Sequence, residues 1–492
     1  MVTKLSLDNL SAIGADVAKP SYARGDLSPG IVHIGVGNFH RAHQGIYLHR
    51  LFESGRDHDW AIVGAGVKPY DDAMRGKLEA QDWLTTVVEL DPAGFSATVS
   101  GSMIDFARVD PVGLIDTMAQ PEIRIVSLTV TEGGYYVDAK TGGFDASHPE
   151  IVADRDSPDH PKTVFGIIIA ALMKRRDAGI APFTVMSCDN LPENGHVARN
   201  AVLGLAEGRA DDAHDWIAEN VAFPCGMVDC ITPATGPREI GLVREKFGIE
   251  DAAPVVCEPF RQWVLEDNFP QGRPALETVG VEFVDDVAPY ELMKLRILNG
   301  GHATIAYPAG LLGIHFVHSA MENPLVAGFL EKLEFSEIIP TVPEIPGVSL
   351  TGYYEKIVER FANVAVGDTI PRLCLDGSNR QPKFILPTIA ARLEKGQSVD
   401  GLALEVALWC RYCAGTDENG KTITIDDIAA ERLTRQALAA RDDPSAWLAM
   451  HDIFGDLGKD GIFANAFAAA LRALWAGGVR ATLETYLDET PA

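Results

Sequence analysis

Two hydrophobic periodicities divide this chain. Up to about residue 288, short apolar runs alternate with stretches of helical spacing; beyond it, nearly every stretch is helical. The first run, Ile31-Val-His-Ile-Gly-Val-Gly37, reads as a buried strand ending in glycines. Residues 42–53 follow with Ile46, Leu48, Leu51 and Phe52 at the spacing of a helix face. Residues 60–67 give a second strand and 70–80 a second helix, a β-α-β-α order that predicts a parallel sheet. Further strands are expected at 84–90, 97–104, 124–130, 183–188, 225–231 and 254–258, and helices at 162–176, 194–208 and 211–220. Residues 1–30, polar and punctuated by proline and glycine, predict an arm laid over this domain. In the second regime helices are expected at 290–299, 302–311, 319–333, 350–363, 382–394, 399–413, 425–439, 444–453 and 462–486. The expected organisation is an α/β domain over 1–286 and a mostly α-helical domain over 287–492.

Gly35-Val-Gly37 closes the first strand and opens the first helix. Glycines there permit a tight turn and let a pyrophosphate approach the backbone at a helix N-terminus, which makes the first domain Rossmann-type and dinucleotide-binding. Ile34, Gly35, Gly37, Asn38 and Phe39 form the expected cofactor turn, with Arg41 placed to support the pyrophosphate. His40 stands where a third glycine is usual, so helix and strand are expected to sit further apart. An acid after the second strand would bind the ribose hydroxyls. Asp71 is the candidate and favours NAD over NADP, because a carboxylate repels a 2′-phosphate. Lys68 argues the other way, and Asp71 and Asp72 could instead cap the next helix.

The helical half opens with ELMKLRILNGGHATIAY, residues 291–307, which sets Lys294, Asn299 and His302 in an apolar frame. Burying such groups is costly unless they are paired or used. On a straight helix, at about 100° per residue, Lys294 and His302 lie about 80° apart and Asn299 about 140° from the lysine. The Gly300-Gly301 pair predicts a break that draws them together. A lysine whose pKa is lowered by burial can take an alcohol proton as hydride leaves, and an amide can donate to the developing alkoxide. The plainer uses are a solvated lysine, a core histidine and an asparagine C-cap.

Ser187-Cys-Asp-Asn190 follows a buried strand where ligands of open sheets gather. Asn190 is a candidate donor there, with Asp189 as competitor and an Asx turn as the alternative. Asp229 and Arg372 suit a polyhydroxylated ligand, although an interdomain salt bridge would use the same residue types.

Composition narrows the field. A net charge of −27 argues against nucleic acid and anionic membranes as partners. Seven scattered cysteines fit reduced thiols in a cytoplasm, and Cys410-x-x-Cys413, without a second pair, does not suffice for a metal site. The N-terminus lacks an apolar signal core, and the apolar run at 165–173 is too short to span a bilayer. A soluble cytoplasmic protein is expected.

Lys294-x4-Asn299-x2-His302, with GVGNFHRAHQ (35–44), TEGGYY (131–136), MSCDNLPENG (186–195), CEPFRQWVLEDNF (257–269) and LCLDGSNRQPKF (373–384), resembles the polyol-specific long-chain dehydrogenases, the mannitol dehydrogenase family. The resemblance spans essentially the whole chain. It implies zinc-independent oxidation of D-mannitol to D-fructose with NAD, by a monomer. It further implies Lys294 as general base, Asn190 and Asn299 as alkoxide donors, His302 at the substrate and lysine, and Asp229 and Arg372 on the polyol. Fructuronate or tagaturonate reductase and D-arabinitol 4-dehydrogenase are alternatives within the same family.

Overall fold

The computed structural model describes residues 2–138, 141–207, 209 and 211–488. The chain divides into two compact units, Met1–Ala288 and Pro289–Ala492.

In the first unit five parallel strands form the central sheet: β1 (Pro29–Ile34), β2 (Ala61–Ala65), β3 (Met103–Phe106), β4 (Ile125–Leu128) and β5 (Thr184–Ser187). Their spatial order is β3-β2-β1-β4-β5. The order reverses between β1 and β4, the position beyond whose carboxyl ends such sheets bind ligands. Successive side chains point to opposite faces: Ile31 joins Tyr47, Leu48 and Leu51, whereas Val32 and Ile34 join Ile167, Ile168 and Leu172. Helices cover both faces, which is why these strands read as continuous apolar runs.

Among the described residues, three smaller sheets accompany the central one. The run expected as one strand at 97–104 is two strands: Ser96–Ser100 belongs to a four-stranded mixed sheet and Met103–Phe106 to the central one. The chain changes sheets between them while staying apolar, so composition hid the crossing. The N-terminal stretch is more than an arm. Thr3–Lys4 pairs with Ile249–Glu250, and Val17–Ala18 extends the edge of the mixed sheet. Strands Gln262–Glu266 and Glu282–Val284, and helices Pro111–Met118, Pro149–Asp156 and Pro237–Phe247, were not expected from spacing.

The second unit is helical around Asp400–Cys413, which is buried from Gly401 to Cys413 and packs against Gly300–Leu311 and Gly461–Asp488. A helix apolar all round belongs in a core. Cys410 and Cys413 lie inside it as free, buried thiols. Among the described residues, Gly461–Asp488 alone is long and apolar enough to cross a membrane. It kinks at Gly478 (φ 78°) and buries Phe463, Phe467, Leu471, Leu474 and Leu483.

The central helix also carries Glu405, fully buried, whose Oε1 accepts from Gln381 Nε2 at 2.6 Å. Burial, only partly opposed by that hydrogen bond, raises the carboxyl from 4.5 to about 8. A raised folded-state pKa means the neutral acid contributes stability below the unfolded value, and that contribution is lost as pH rises through about 8. The Glu405→Gln variant should therefore gain on the wild type by on the order of 1 kcal/mol per pH unit between those limits, in urea unfolding followed across pH. A constant difference would show that Glu405 is not held as the acid.

Candidate active site

At the first turn, Gly35 adopts φ +100°, and a Cβ there would lie 2.1 Å from Thr129 O. No other residue fits. Gly37 is exposed and open on its outer side, and its N–H donates to Gly35 O at 2.7 Å. The helix begins at Asn38, earlier than spacing suggested, and bends at His43 before Gln44–Glu53. His40, in the third-glycine position, lies flat on His33 of β1, with ring centroids 3.4 Å apart and planes 11° apart. Helix and strand are thus separated by a stacked ring. Burial pushes His33 down to about 3 and His40 well below its ordinary value, so both rings are neutral. Phe39 stacks on His43 at 4.8 Å.

Arg41 is nearly fully buried. It donates to Gly37 O at 3.2 Å, to Asn38 Oδ1 at 2.7 Å and to Ala253 O. Burial lowers it to about 10, with Asp251 opposing, so it stays charged at neutral pH. The structure places it beneath the turn as a brace. Asn38 Nδ2 in turn holds Pro233 O at 3.1 Å and Thr235 Oγ1 at 3.0 Å. Asp71 Oδ2 accepts the Val67 and Lys68 N–H groups, each at 2.9 Å, which caps the Pro69–Glu79 helix. Lys68 is half-exposed and pairs with Glu150 at 3.6 Å.

Asp189 and Asn190 sit differently in the loop. Asp189 accepts from Val130 N, Thr131 N and Tyr135 Oη at 2.9, 3.0 and 2.6 Å, tying together the loops that follow β4 and β5. Asn190, next in the chain, is exposed on its unit. Asn194 joins this loop to a neighbouring strand, donating to Asp189 O and Gly226 O at 3.0 and 2.7 Å. That strand, Gly226–Asp229, ends on buried Asp229.

In the second unit the expected glycine break is absent. Asn299 (φ −75°, ψ −37°) and Gly300 (φ −60°, ψ −43°) are helical, and the helix continues to Leu311. The irregularity lies upstream, where Lys294–Asn299 is a π-helical segment. Its i→i+5 hydrogen bonding brings residues five apart to one side, so Lys294 and Asn299 share a face that an α-helix would deny them. Lys294 is 7% exposed. His302 stacks on Phe361 at 4.2 Å and 20°. Near it, Asp368 holds Arg372, accepting from Nε at 2.5 Å and from Nη2. Burial pushes the Asp368 carboxyl up, but the Arg372 hydrogen bond and charge, followed by the His302 charge, hold it below its ordinary value.

Spacing did not point to His33, Phe361, Asp368 or Glu334. Glu334 is fully buried, and neither carboxyl oxygen meets a hydrogen-bond partner among the described residues. Burial raises it well above its ordinary value. It opens a second π-helical segment, Glu334–Ile338, packed against the first, and its Oε1 lies 3.2 Å from where a Cβ on Gly301 would sit. An acidic residue in an apolar helical stretch was the one signal available.

Known proteins resemble the chain in both units. Residues 29–278 match the mannitol dehydrogenase Rossmann domain, and 286–475 the mannitol dehydrogenase C-terminal domain. A mannitol 2-dehydrogenase of Cereibacter sphaeroides is 57% identical over 96% of this chain and 99% of its own. The solved ternary complex of Pseudomonas fluorescens mannitol 2-dehydrogenase with NAD and D-mannitol superposes with a TM-score of 0.87 at 44% identity, covering 99% of this chain and all of that one. A substrate-free D-sorbitol dehydrogenase gives a TM-score of 0.91 at 36% identity, covering 97% and 100%.

The two glycines should respond differently to alanine. At Gly300 the nearest atoms to a new Cβ are 3.8 Å away, so Gly300→Ala is expected to be tolerated or to stabilise by up to ~1 kcal/mol in thermal unfolding. Gly301→Ala presses on Glu334 and should cost about 1–3 kcal/mol. Loss of turnover in a normally stable Gly300→Ala protein would restore a hinge role to the pair.

Proposed function

The chain belongs to the mannitol dehydrogenase family, and from that premise we infer that it oxidises D-mannitol to D-fructose with NAD and catalyses the reverse reduction. The observation that carries the assignment of roles is the π turn, which sets a buried amine and an amide on one face. As hydride passes from the carbinol carbon to the nicotinamide, Lys294 takes the hydroxyl proton. Asn299 and Asn190 donate to the oxygen as it gains negative charge, an interaction stronger in the transition state than in the alcohol. His302, steadied by its stack on Phe361, orients substrate and lysine. Asp229 and Arg372 bind more distant hydroxyls. Base and donors are all protein groups, so the scheme invokes no metal.

The cofactor lies on the Ile34–Phe39 turn, with Gly37 allowing the pyrophosphate close to the backbone and Arg41 fixing Asn38 from below. Asp71 faces the ribose and disfavours a 2′-phosphate. A uronate substrate would call for a cation such as Arg372, Arg380 or Lys383, of which Arg372 is joined to Asp368 and Arg380 donates to Arg372 O and Leu373 O. That favours a neutral polyol over the uronate reductases of the family. D-sorbitol is a second reading, supported by backbone likeness to a D-sorbitol dehydrogenase, because oxidation at C2 of either hexitol yields the same ketose. The reading includes a cytoplasmic monomer, in keeping with seven free cysteines.

NADH absorbance should rise when enzyme, NAD and D-mannitol are mixed at about pH 9–10, where a lysine base is free. No turnover on any hexitol or pentitol would reject the reading. Lys294→Ala should bind NAD normally in calorimetry while kcat falls by roughly 10²–10⁴. Retained turnover would mean that another group is the base.

A further inference from the structure

A pair of buried thiols lies outside every role assigned above. Glu258 is bonded twice to Ile231: its N–H donates to Ile231 O at 3.0 Å, and its Oε1 accepts from Ile231 N at 2.6 Å. This clamp joins the residues that follow Cys230 and Cys257. The two thiols lie in the same apolar cluster, with Ala42, Ile46, Val87 and Val255. Into it reaches Arg261, whose side chain is 2% exposed. Its Nη2 donates to Cys257 Sγ at 3.1 Å, its Nη1 to Glu89 Oε1 at 2.5 Å and its Nε to Ala42 O at 2.7 Å. The guanidinium is thereby aimed at one sulfur of the two.

The two thiols are unequal. The Cys230 hydrogen bond lowers the Cys257 thiol, with burial opposing and the Arg261 charge adding to the effect. The same hydrogen bond, together with burial, raises Cys230 well above its ordinary value. Cys257, which receives the Arg261 Nη2 donor, is thus the more acidic sulfur of the two, and Cys230 the less acidic. A thiolate beside a protonated partner is the arrangement of an attacking and a resolving cysteine.

We propose that Cys257 and Cys230 are an oxidation site, at which hydrogen peroxide converts the pair to a disulfide that slows turnover. The Cys257 thiolate attacks one peroxide oxygen; the S–O bond forms, the O–O bond breaks and hydroxide leaves. The Cys230 sulfur then attacks the sulfenic sulfur; the S–S bond forms, the S–O bond breaks, and water departs with the Cys230 proton. Two electrons pass from the thiols to the peroxide. Both sulfurs are buried, so the oxidant is small and uncharged, which favours peroxide over a bulky disulfide such as oxidised glutathione. Cys230 directly follows Asp229, so bonding its sulfur to Cys257 pulls on the end of the Gly226–Asp229 strand.

The test uses the whole enzyme, reduced and freed of reductant, then exposed to graded hydrogen peroxide and mapped by mass spectrometry without reduction. Expected are a linked Cys230–Cys257 peptide and a roughly tenfold fall in turnover, as when a substrate-contacting segment shifts by a fraction of an ångström. Dithiothreitol reverses both, and oxidised glutathione produces neither. Cys230→Ser should trap a dimedone-reactive sulfenic acid at Cys257, and Cys257→Ser should keep its turnover and resist peroxide. The proposal is overturned if no linked peptide forms at peroxide levels that oxidise exposed methionines, if the linked enzyme retains full turnover, or if Cys257→Ser is inhibited as fast as the wild type. Only the effect on turnover rests on the role given to Asp229; the linked peptide is read by mass whatever the substrate is.

Discussion

The mechanism we propose asks a buried amine to share a face with an amide on one helix, whereas α-helical geometry sets residues five apart on different sides. The π segment at Lys294–Asn299 resolves that conflict without interrupting the helix. Much of the second unit follows from it. The helix can run on through Gly300 and Gly301 and present His302 one turn later. The second π segment packs beside the first, with Glu334 against the one glycine that leaves it room. The Asp400–Cys413 helix, buried from Gly401 onward, forms the floor on which the Gly300–Leu311 helix rests.

In the first unit the polar groups near the ligand face mostly hold loops in place. Asp189 joins the loops after β4 and β5, Asn194 joins one of these to the strand ending at Asp229, and Arg41 fixes the glycine turn from below. Each is buried, and each satisfies backbone or amide groups that would otherwise lie unpaired. The exposed neighbours Gly37 and Asn190 are consequently presented by a stiff frame. Under the proposed function this stiffness would serve Asn190 as a donor, since rigid support is what differential stabilisation of a transition state requires.

The parallel sheet, its glycine turn and the helical second half were legible because their periodicities are local and strong. Segments that depend on distant partners were not. Thr3–Lys4 is a strand only because Ile249–Glu250 lies beside it, and the 97–104 run crosses between sheets that composition cannot distinguish. At the site, Lys294, Asn299 and His302 stood out as polar residues in an apolar frame. Their geometry was misjudged, since a glycine pair reads as a helix breaker while a π turn has no sequence signature. His33, Phe361 and Asp368 escaped notice because each acts through a neighbour far along the chain: a stacked ring for the first two, an ion pair beside His302 for the third.

The carboxylate of Asp71 illustrates how two properties become bound together. Because it caps its own helix, the fold fixes the position of its negative charge before any cofactor arrives. Under the proposed function, cofactor choice and the anchoring of the Pro69–Glu79 helix would both rest on this side chain. A substitution that welcomed a second phosphate would also leave two backbone donors without their acceptor, so in this framework a change of cofactor carries a loss of local order.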